Sequence, residues 1–372
     1  MPPSWILRAK LTPPARPPGL LDRPRLGGSG APVALIAAGP GFGKTMALVA
    51  RREAAQAAGA ICVWLTADEL DADAGTFFQH LAAALSQHGP ALDLADLPPR
   101  QAWARFFEQI EAYDLPRVAL FLDDFHHVVA GAPAVAKGLS YCFDKLPPGV
   151  AVAIALRGAW PEPTARWITR GQLELVGPEA LRLDADELDQ LEPDPVWRRA
   201  VKPLDGWPLG VGVALTERTR ARDAGWVERL LVDAGAEQLE GVAPARRRTL
   251  AELALLAEIS PASCRAALGL SEPETLLAEL EAEHMLTRLA DGETFRLPGH
   301  LAARLERDLA GFEAAALARV HRLAGSHFEA AGQPALALGH LIAARDWPGA
   351  HRLGAVCVPL MVATGRAHAA RR

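Results

Sequence analysis

The sequence of 372 residues contains no asparagine and little lysine, so arginine supplies most of its positive charge. No apolar run reaches the roughly 18 residues of a membrane span, and Met1–Lys10 lacks the apolar core of a signal peptide. The four cysteines are far apart, without the spacing of a zinc site or a disulfide framework: Cys62, Cys142, Cys264 and Cys357. We therefore expect a cytoplasmic protein with reduced thiols.

The composition is that of a globular protein, with 50% apolar and 22% charged residues. The length suffices for two or three domains with cores of their own. The formal net charge is -5 and the isoelectric point is near 6.1. The chain as a whole therefore has no general attraction for nucleic acids or anionic membranes.

The segment Ala38-Gly39-Pro40-Gly41-Phe42-Gly43-Lys44-Thr45 matches a phosphate-binding P-loop, except that alanine replaces the usual first glycine. An apolar run of strand length precedes it, and a helix-like segment follows. Backbone N–H groups of such a loop surround phosphate oxygens, and the helix N-terminus faces the same anion. We expect Lys44 to reach the β- and γ-phosphates and Thr45 to hold Mg²⁺. The predicted nucleotide-binding residues of the loop are Gly39, Gly41, Phe42, Gly43, Lys44 and Thr45.

A second apolar run, 118–122, ends in Asp123 and Asp124. Acidic residues at the end of a buried parallel strand are expected to lie beside the P-loop. We predict that Asp123 binds Mg²⁺, directly or through water, and that Asp124 orients or deprotonates an attacking water. The adjacent His126 and His127 do not predict a metal site, because no third ligand has a suitable spacing.

Strand-like runs near 33–38, 60–65, 118–123 and 150–156 alternate with helical stretches such as Thr76–Gln87 and Ala102–Ala112. This alternation predicts a parallel α/β sheet. In the second helical stretch four apolar side chains recur at helical spacing, which is typical of core packing: Trp103, Phe106, Phe107 and Ile110.

From Leu181 onward the pattern is helical. Three short helices and a hairpin predict a winged helix; they are Arg246–Ala257, Pro261–Leu268, Pro273–His284 and Met285–Leu297, with Asp291-Gly292 at the turn. Alanine-rich helix pairs follow from residue 312, as at the start of a helical-repeat solenoid. Only about one and a half pairs precede Arg372, fewer than such solenoids usually contain. We do not assign DNA binding to the winged helix, because the stretch Ser271–Glu283 at its third helix contains five glutamates and no lysine or arginine.

Several local patterns, in order, resemble the N-terminal half of MalT-type, LuxR-family transcriptional regulators, which belong to the STAND class of signalling ATPases. The resemblance extends from about residue 6 to about residue 350. Its motifs are Leu21-Asp22-Arg23-Pro24-Arg25-Leu26, Trp64-Leu65-Thr66-Ala67-Asp68-Glu69, Leu122-Asp123-Asp124-Phe125-His126, Ala155-Leu156-Arg157 and Gly206-Trp207-Pro208. The family's histidine after the wing falls two places late here, at His300, and its C-terminal helix-turn-helix is absent from this sequence.

The resemblance implies a role for residues that composition and spacing leave open. Arg157 would sense the γ-phosphate of ATP, Arg23 or Arg25 would lie near the base, and Pro208 would pack near the adenine. It also implies a P-loop NTPase of the ASCE/STAND type. The corresponding domains are a lead-in segment (1–32), the P-loop NTPase domain (33–180), a helical domain (181–243), a winged-helix domain (244–311) and the start of a TPR-like arm (312–372).

The resulting hypothesis is an ATP/ADP-switched signalling module that binds Mg-ATP and hydrolyses it slowly to reset the switch. By the resemblance it would respond to a small-molecule inducer, oligomerise with ATP, and contact DNA only through a missing C-terminal domain or a partner. Two alternatives stay open: a stand-alone ATPase with continuous turnover, and a scaffold that holds nucleotide without hydrolysing it. Turnover above roughly 1 s⁻¹ would favour an enzyme.

Overall fold

The computed structural model describes residue 6 and residues 8–17, 19–89, 91–113, 117–216, 224–289 and 291–363. The chain divides into two compact units, Met1–Thr219 and Arg220–Arg372. The division falls inside the predicted helical domain 181–243. Its first part belongs to the unit that contains the P-loop, and the rest belongs to the second unit.

The first unit is built on a parallel sheet, which confirms the predicted α/β architecture. Its strands are β1 (Val33–Ala37), β2 (Ile61–Thr66), β3 (Val118–Asp123), β4 (Val150–Leu156) and β5 (Leu173–Val176). The spatial order is β2-β3-β4-β1-β5. Every residue of β1 and of β3 is buried, as expected for parallel strands covered on both faces. Strand β4 lies between β1 and β3, so the ends of these three strands share one edge of the sheet.

The edge strand β5 was not predicted from the sequence. It has four residues and pairs with β1 at one end of the strand order. Leu173 and Val176 are buried, whereas Leu175 is 51% exposed. A strand of four residues that includes a glutamate has no continuous apolar run, and such a run was the signal for the other four strands.

Helices cover the sheet and continue past it in the first unit. They are α1 (Lys44–Ala57), α2 (Ala74–Leu85), α3 (Pro99–Ala112), α4 (His126–Gly131), α5 (Pro133–Phe143), α6 (Ala165–Thr169), α7 (Pro178–Leu181), α8 (Ala185–Leu191), α9 (Pro195–Val201) and α10 (Pro208–Thr216). Helix α2 begins earlier than predicted because Asp73 caps it through the Thr76 N–H. Helix α3 begins at Pro99, whose missing N–H costs nothing in a first turn. The predicted core stripe of α3 is confirmed, since Trp103, Phe106, Phe107 and Ile110 are all buried.

In the residues that the structure describes, the second unit is helical apart from one hairpin. Its elements are α11 (Ala224–Gln238), α12 (Pro244–Ala254), α13 (Pro261–Leu268), α14 (Pro273–Ala282), β6 (Thr287–Arg288), β7 (Phe295–Arg296), α15 (Gly299–Asp308), α16 (Ala314–Ala330), α17 (Pro334–Ala343) and α18 (Trp347–Ala363). The hairpin turns where it was predicted. Asp291 accepts hydrogen bonds from the N–H groups of Glu293 and Thr294, and Gly292 has a φ of 75°.

Among the described residues, no helix is both long enough and apolar enough to span a membrane. His300 of α15 is buried, and its Nε2 atom contacts the Oε1 atom of Gln238 on α11. The histidine that falls two places late relative to the family motif is therefore part of the packing between two helices of the second unit.

Two histidines connect α16 and α17 to the segment after α12. The Nδ1 atoms of His321 and His340 are 2.9 Å apart, and the Ala257 N–H donates to Nε2 of His340 at 3.3 Å. The ring of His340 also stacks on Phe328, with centroids 5.3 Å apart. Because Nε2 is the acceptor, Nδ1 of His340 carries the proton and donates to His321. This arrangement requires both rings to be neutral.

We predict that the second unit loses stability as the pH falls from about 6.5 to about 4. Burial, with a smaller effect of His321, lowers the pKa of His340 to about 4. The unfolded chain, with a histidine pKa of about 6.5, therefore binds the proton first, and the loss due to His340 alone is at most about 1.4 kcal/mol per pH unit. The stability of the second unit at each pH is measured by hydrogen exchange of the α17 amides, after correction for the intrinsic exchange rate at that pH. The variant His340→Phe should lose the dependence, and the exposed control His351→Gln should keep it. An equal slope in all three proteins would contradict the prediction.

Candidate nucleotide site

The P-loop connects β1 to α1 at the carboxyl end of the sheet. Gly41 and Gly43 have φ angles of 72° and 77°, a region that favours glycine. Gly43 is the residue before α1, and Lys44 is its first residue. Lys44 is buried, and its Nζ atom donates to the carbonyl oxygen of Gly39 at 2.9 Å. The residues from Gly39 to Gly43 thus form one continuous turn, and Lys44 and Thr45 are the first two residues of the helix that follows it.

The end of β3 supplies the acidic side of the site. The Thr45 hydroxyl donates to Oδ1 of Asp123 at 3.1 Å, although 78 residues separate them in the chain. Strand β4 intervenes between β1 and β3, so the acidic strand is not the immediate neighbour of the P-loop strand. The contact is made from the first turn of α1, a helix that contacts both β3 and β4. The structure thus brings together the two predicted Mg²⁺ ligands.

Burial shifts both charged groups at the centre of the site toward their neutral forms. The pKa of Lys44 is lowered to about 8 by burial and by the neighbouring Arg157, against the pull of Asp124 and Asp123. The pKa of Asp123 is raised to about 6 by burial and by Asp124, against the hydrogen bond from Thr45. A polyanion beside Lys44 and a divalent cation beside Asp123 would each reverse these shifts. Oxygen donors of this kind suit Mg²⁺, so the residues present fit a magnesium–phosphate ligand.

A strained turn projects Asp124 from the end of β3. Asp124 has a φ of 50°, which is uncommon for a residue with a side chain. The next residue, Phe125, is fully buried, and its N–H donates to the Ala155 carbonyl at 2.9 Å. Its ring stacks on Trp160 with centroids 5.8 Å apart. Phe125 therefore fixes the turn in the core and leaves the side chains on either side of it, Asp124 and His126, at the site.

Arg157 immediately follows β4 and is exposed. Its charge acts on Lys44 and on His126, which locates it on the same edge of the sheet. Because β4 lies between β1 and β3, Arg157 extends from a point between the P-loop and the acidic residues. An arginine in this position can form paired hydrogen bonds with phosphate oxygens.

The segment Gly206-Trp207-Pro208 packs directly on the P-loop. Trp207 Nε1 donates to the Pro40 carbonyl at 3.2 Å, and the Leu209 N–H donates to the Gly41 carbonyl at 3.0 Å. A Cβ atom at Gly41 would lie 2.8 Å from Trp207 and from Leu209, so this approach requires glycine. The sequence motif pointed to Pro208, whereas the hydrogen bonds are made by its two neighbours.

A cavity of about 520 Å³ lies behind the P-loop within the first unit. Gly43, Met46 and Ala47 form its wall on the side of α1, and Pro208 and Gly212 contribute from α10. Leucines dominate the remainder: Leu20, Leu21, Leu26, Leu183, Leu191 and Leu215. Arg23 also lines this cavity, and Arg25 is not among its lining residues. An apolar cavity with few polar groups beside a phosphate loop is suited to a flat heterocycle.

Arg23 and Arg25 share one acidic partner, Glu187 of α8, at 3.0 Å and 2.8 Å. Burial raises the pKa of Glu187, but hydrogen bonds from Arg25 and Arg23 outweigh it and bring the pKa to about 2. Arg23 also donates to the carbonyls of Leu181 and Arg182. Both arginines therefore fasten the lead-in segment to the helices after β5. Glu187 was not predicted, since a glutamate in a helical first turn has no local feature that identifies its partners.

No family model matches this chain. The chain is 26% identical over 341 residues to the serine/threonine-protein kinase PknK of Mycobacterium tuberculosis, strains CDC 1551 and H37Rv, and equally to that of Mycobacterium bovis. These matches cover 84% of this chain and 30% of the relatives, so the chain spans less than a third of their length. Among solved structures it is similar to the ADP form of the Aeropyrum pernix ORC2 protein, at 16% identity. That match covers 75% of this chain and 87% of the other, with a TM-score of 0.37, which is too low to bear on function.

We predict that Gly206→Ala destabilises the first unit far more than Gly171→Ala does. Both glycines have a positive φ, 69° and 67°. Alanine at either position therefore costs about 1–2 kcal/mol of folding free energy, because its side chain disfavours the left-handed backbone conformation. A Cβ atom at Gly171 meets nothing within 4 Å, whereas at Gly206 it collides with the carbonyl oxygen of Leu183. Urea unfolding followed by tryptophan fluorescence should separate the two variants. Equal losses would show that the turn against the P-loop is not closely packed.

Proposed function

We propose that this chain is an ATP/ADP-switched signalling module whose first unit binds Mg-ATP and hydrolyses it slowly. The observation that carries the proposal is the 3.1 Å contact between Thr45 and Asp123, beside the buried Lys44. A hydroxyl and a carboxylate that meet at a helix N-terminus after a glycine loop suit a magnesium-bound nucleotide. Bound Mg²⁺ would neutralise charge that develops on the phosphates during hydrolysis.

Each residue of the site has a role that follows from its position. Lys44 and the backbone amides of the loop hold the phosphates, and Arg157 reaches the γ-phosphate from the end of β4. Thr45 and Asp123 supply oxygen ligands for Mg²⁺. Asp124, with its 38% exposed side chain, is accessible to water and acts as the base. The leucine-lined cavity receives the base of the nucleotide, with Arg23 and Pro208 at its wall.

The nucleotide acts as a switch because only ATP offers a γ-phosphate to Arg157. The resemblance to MalT-type regulators supports a role in transcription regulation, with a winged helix formed by α12 to α14 and the β6–β7 hairpin. Helices α16, α17 and α18, each packed on the next, correspond to the start of a TPR-like arm, where an inducer would bind. ATP-dependent self-association is part of this proposal.

DNA contact through the winged helix is not part of the proposal. The basic triplet of α12 is paired within the second unit: Arg246 with Glu279 and Glu283, Arg247 with Asp308, and Arg248 with Glu252. Phosphate binding there would have to displace these carboxylates. DNA would instead be reached through a further domain or a partner chain. The kinase activity in the relatives' name is not carried over, because the aligned stretch is less than a third of their length.

We predict that Lys44→Ala weakens ATP and ADP binding at least about 100-fold, because a buried cation contacts the phosphates. Asp124→Asn should retain binding and lower single-turnover hydrolysis by about 100-fold or more, because it removes the base. Titration calorimetry and phosphate release measure the two effects. The exposed Lys137→Ala is the control for loss of a lysine. Unchanged binding by Lys44→Ala would reject the nucleotide site, and full hydrolysis by Asp124→Asn would reject the base.

We predict that Gly212→Leu blocks nucleotide binding and leaves inorganic triphosphate binding intact. Gly212 lines the cavity, and a Cβ atom there meets nothing within 4 Å, so the leucine fits α10 and occupies the space for the base. Gly339→Leu is the matched control, since Gly339 is also helical and open but lies on α17. Calorimetry with ATP and with inorganic triphosphate distinguishes binding of the base in the cavity from binding of the phosphates at the P-loop. Unimpaired ATP binding by Gly212→Leu would place the base elsewhere.

A further inference from the structure

Strand β2 ends beside the acidic side of the site, and the proposed function gives its last residue, Thr66, no role. Thr66 is the register partner of Asp123, the last residue of β3. The Ala67 N–H donates to the Asp123 carbonyl at 2.9 Å, so the pairing continues past the end of β2. Neighbouring strands lie about 4.8 Å apart. Two hydrogen bonds through one water reach about 5.6 Å, so Thr66 is within one water of the Asp123 carboxylate.

Thr66 and Asp123 lie on the same face of the sheet as helix α1. Side chains alternate along a strand, so Thr66 shares a face with Trp64, and Asp123 shares a face with Phe121. The rings of Trp64 and Phe121 stack with centroids 6.0 Å apart, which puts the four side chains on one face. On that face Asp123 accepts the hydrogen bond of the Thr45 hydroxyl from the first turn of α1. Thr66 is therefore the neighbour of both predicted Mg²⁺ ligands.

The residue two places before Thr66 sets the orientation of its hydroxyl. Trp64 Nε1 donates to Thr66 Oγ1 at 2.9 Å. The indole is buried, whereas Thr66 is partly exposed at the strand end. A hydroxyl has two acceptor lone pairs and one proton. Because the indole takes one lone pair from the core side, the other lone pair and the proton face the edge of the sheet, where the nucleotide site lies.

We propose that Thr66 is a positioning residue for bound Mg²⁺, which it orients by accepting a hydrogen bond from one of the water ligands of the ion. The inference rests on the proposed function, in which Thr45 and Asp123 supply oxygen ligands. Mg²⁺ retains several waters in protein sites, and each metal-bound water donates two hydrogen bonds. Asp123 and the free lone pair of Thr66 are the two acceptors for such a water. Groups that hold the ligands of a metal fix its geometry and raise its affinity.

A purely structural role for Thr66 makes a different prediction. The hydroxyl accepts the hydrogen bond of a buried indole, and an indole N–H that loses its partner destabilises the fold. In that case Thr66→Val lowers the free energy of unfolding and leaves Mg²⁺ binding unchanged. The quantity that separates the two roles is the gain in nucleotide affinity that Mg²⁺ produces, because a loss of global stability in a folded chain does not change this ratio.

The test measures this gain on the full chain by calorimetry with AMP-PNP, an ATP analogue that resists hydrolysis. Each protein is titrated at saturating Mg²⁺ and again in EDTA. We expect Thr66→Val to bind like the unmodified chain in EDTA and to lose about tenfold of the gain from Mg²⁺. Valine keeps the shape and the β-branch of threonine, so it suits the strand end. Thr287→Val, in β6 of the second unit, is the matched control.

Two further variants separate the hydroxyl from its surroundings. Thr66→Ser keeps the hydroxyl and should retain the gain from Mg²⁺ to within about threefold. Trp64→Phe removes the indole N–H and keeps both an aromatic ring and the Thr66 hydroxyl, so we expect it to lose no more than about threefold. Circular dichroism and urea unfolding show that folded chains are compared and report the stability of each variant.

The outcomes distinguish this inference from the proposed function. If Mg²⁺ strengthens AMP-PNP binding equally in the unmodified chain, Thr66→Val and Thr287→Val, Thr66 does not position the ion and the proposed function stands. An equal loss of the gain in Thr66→Ser or in Trp64→Phe as in Thr66→Val also overturns the assignment, since both variants keep the hydroxyl. If Mg²⁺ does not strengthen binding by the unmodified chain, the proposed magnesium site and this inference both fail.

Discussion

The burial of opposite charges at one end of an apolar sheet is the constraint on which the site depends. Lys44 and Asp123 are both almost inaccessible to solvent, yet the hydrogen bonds shown for them are to neutral groups. Charges in such surroundings are costly unless a ligand compensates them, and the pKa values of both groups shift accordingly toward the neutral forms. The sheet must therefore be stable enough to hold the two residues in place. Its fully buried strands β1 and β3 supply that stability.

The strand order determines where the charged residues of the site lie relative to one another. Because β4 separates β1 from β3, a residue at the end of β4 lies between the phosphate loop and the acidic turn. Arg157 occupies that place, and the backbone of Ala155 on the same strand accepts the hydrogen bond that fixes Phe125. Strand β4 thus positions Arg157 in the site and also supplies the Ala155 carbonyl that fixes Phe125 in the acidic turn. A change in β4 would be expected to disturb both together.

The sequence was sufficient for features that depend on a few neighbouring residues. The apolar runs of four strands, the glycine loop and the Asp291-Gly292 turn each have a local cause, and the structure contains all of them. Contacts across long stretches of chain were not predictable in this way. The bond from Trp207 to Pro40 joins residues 167 positions apart, and Glu187 meets arginines more than 160 positions away. The resemblance to a family identified the motifs at these places, but not which atoms are bonded.

In the proposed switch, the contacts of the P-loop carbonyls connect the loop to α10. Trp207 and Leu209 bind the carbonyl oxygens of Pro40 and Gly41, so those two carbonyls are engaged on the side of α10. The amides of the loop remain the natural partners of an anion. A phosphate that reorients a peptide unit of the loop must then also move its carbonyl, and with it the attachment of α10. Since Glu187 fastens the preceding helices to Arg23 and Arg25, such a movement acts on a connected body rather than on a single side chain.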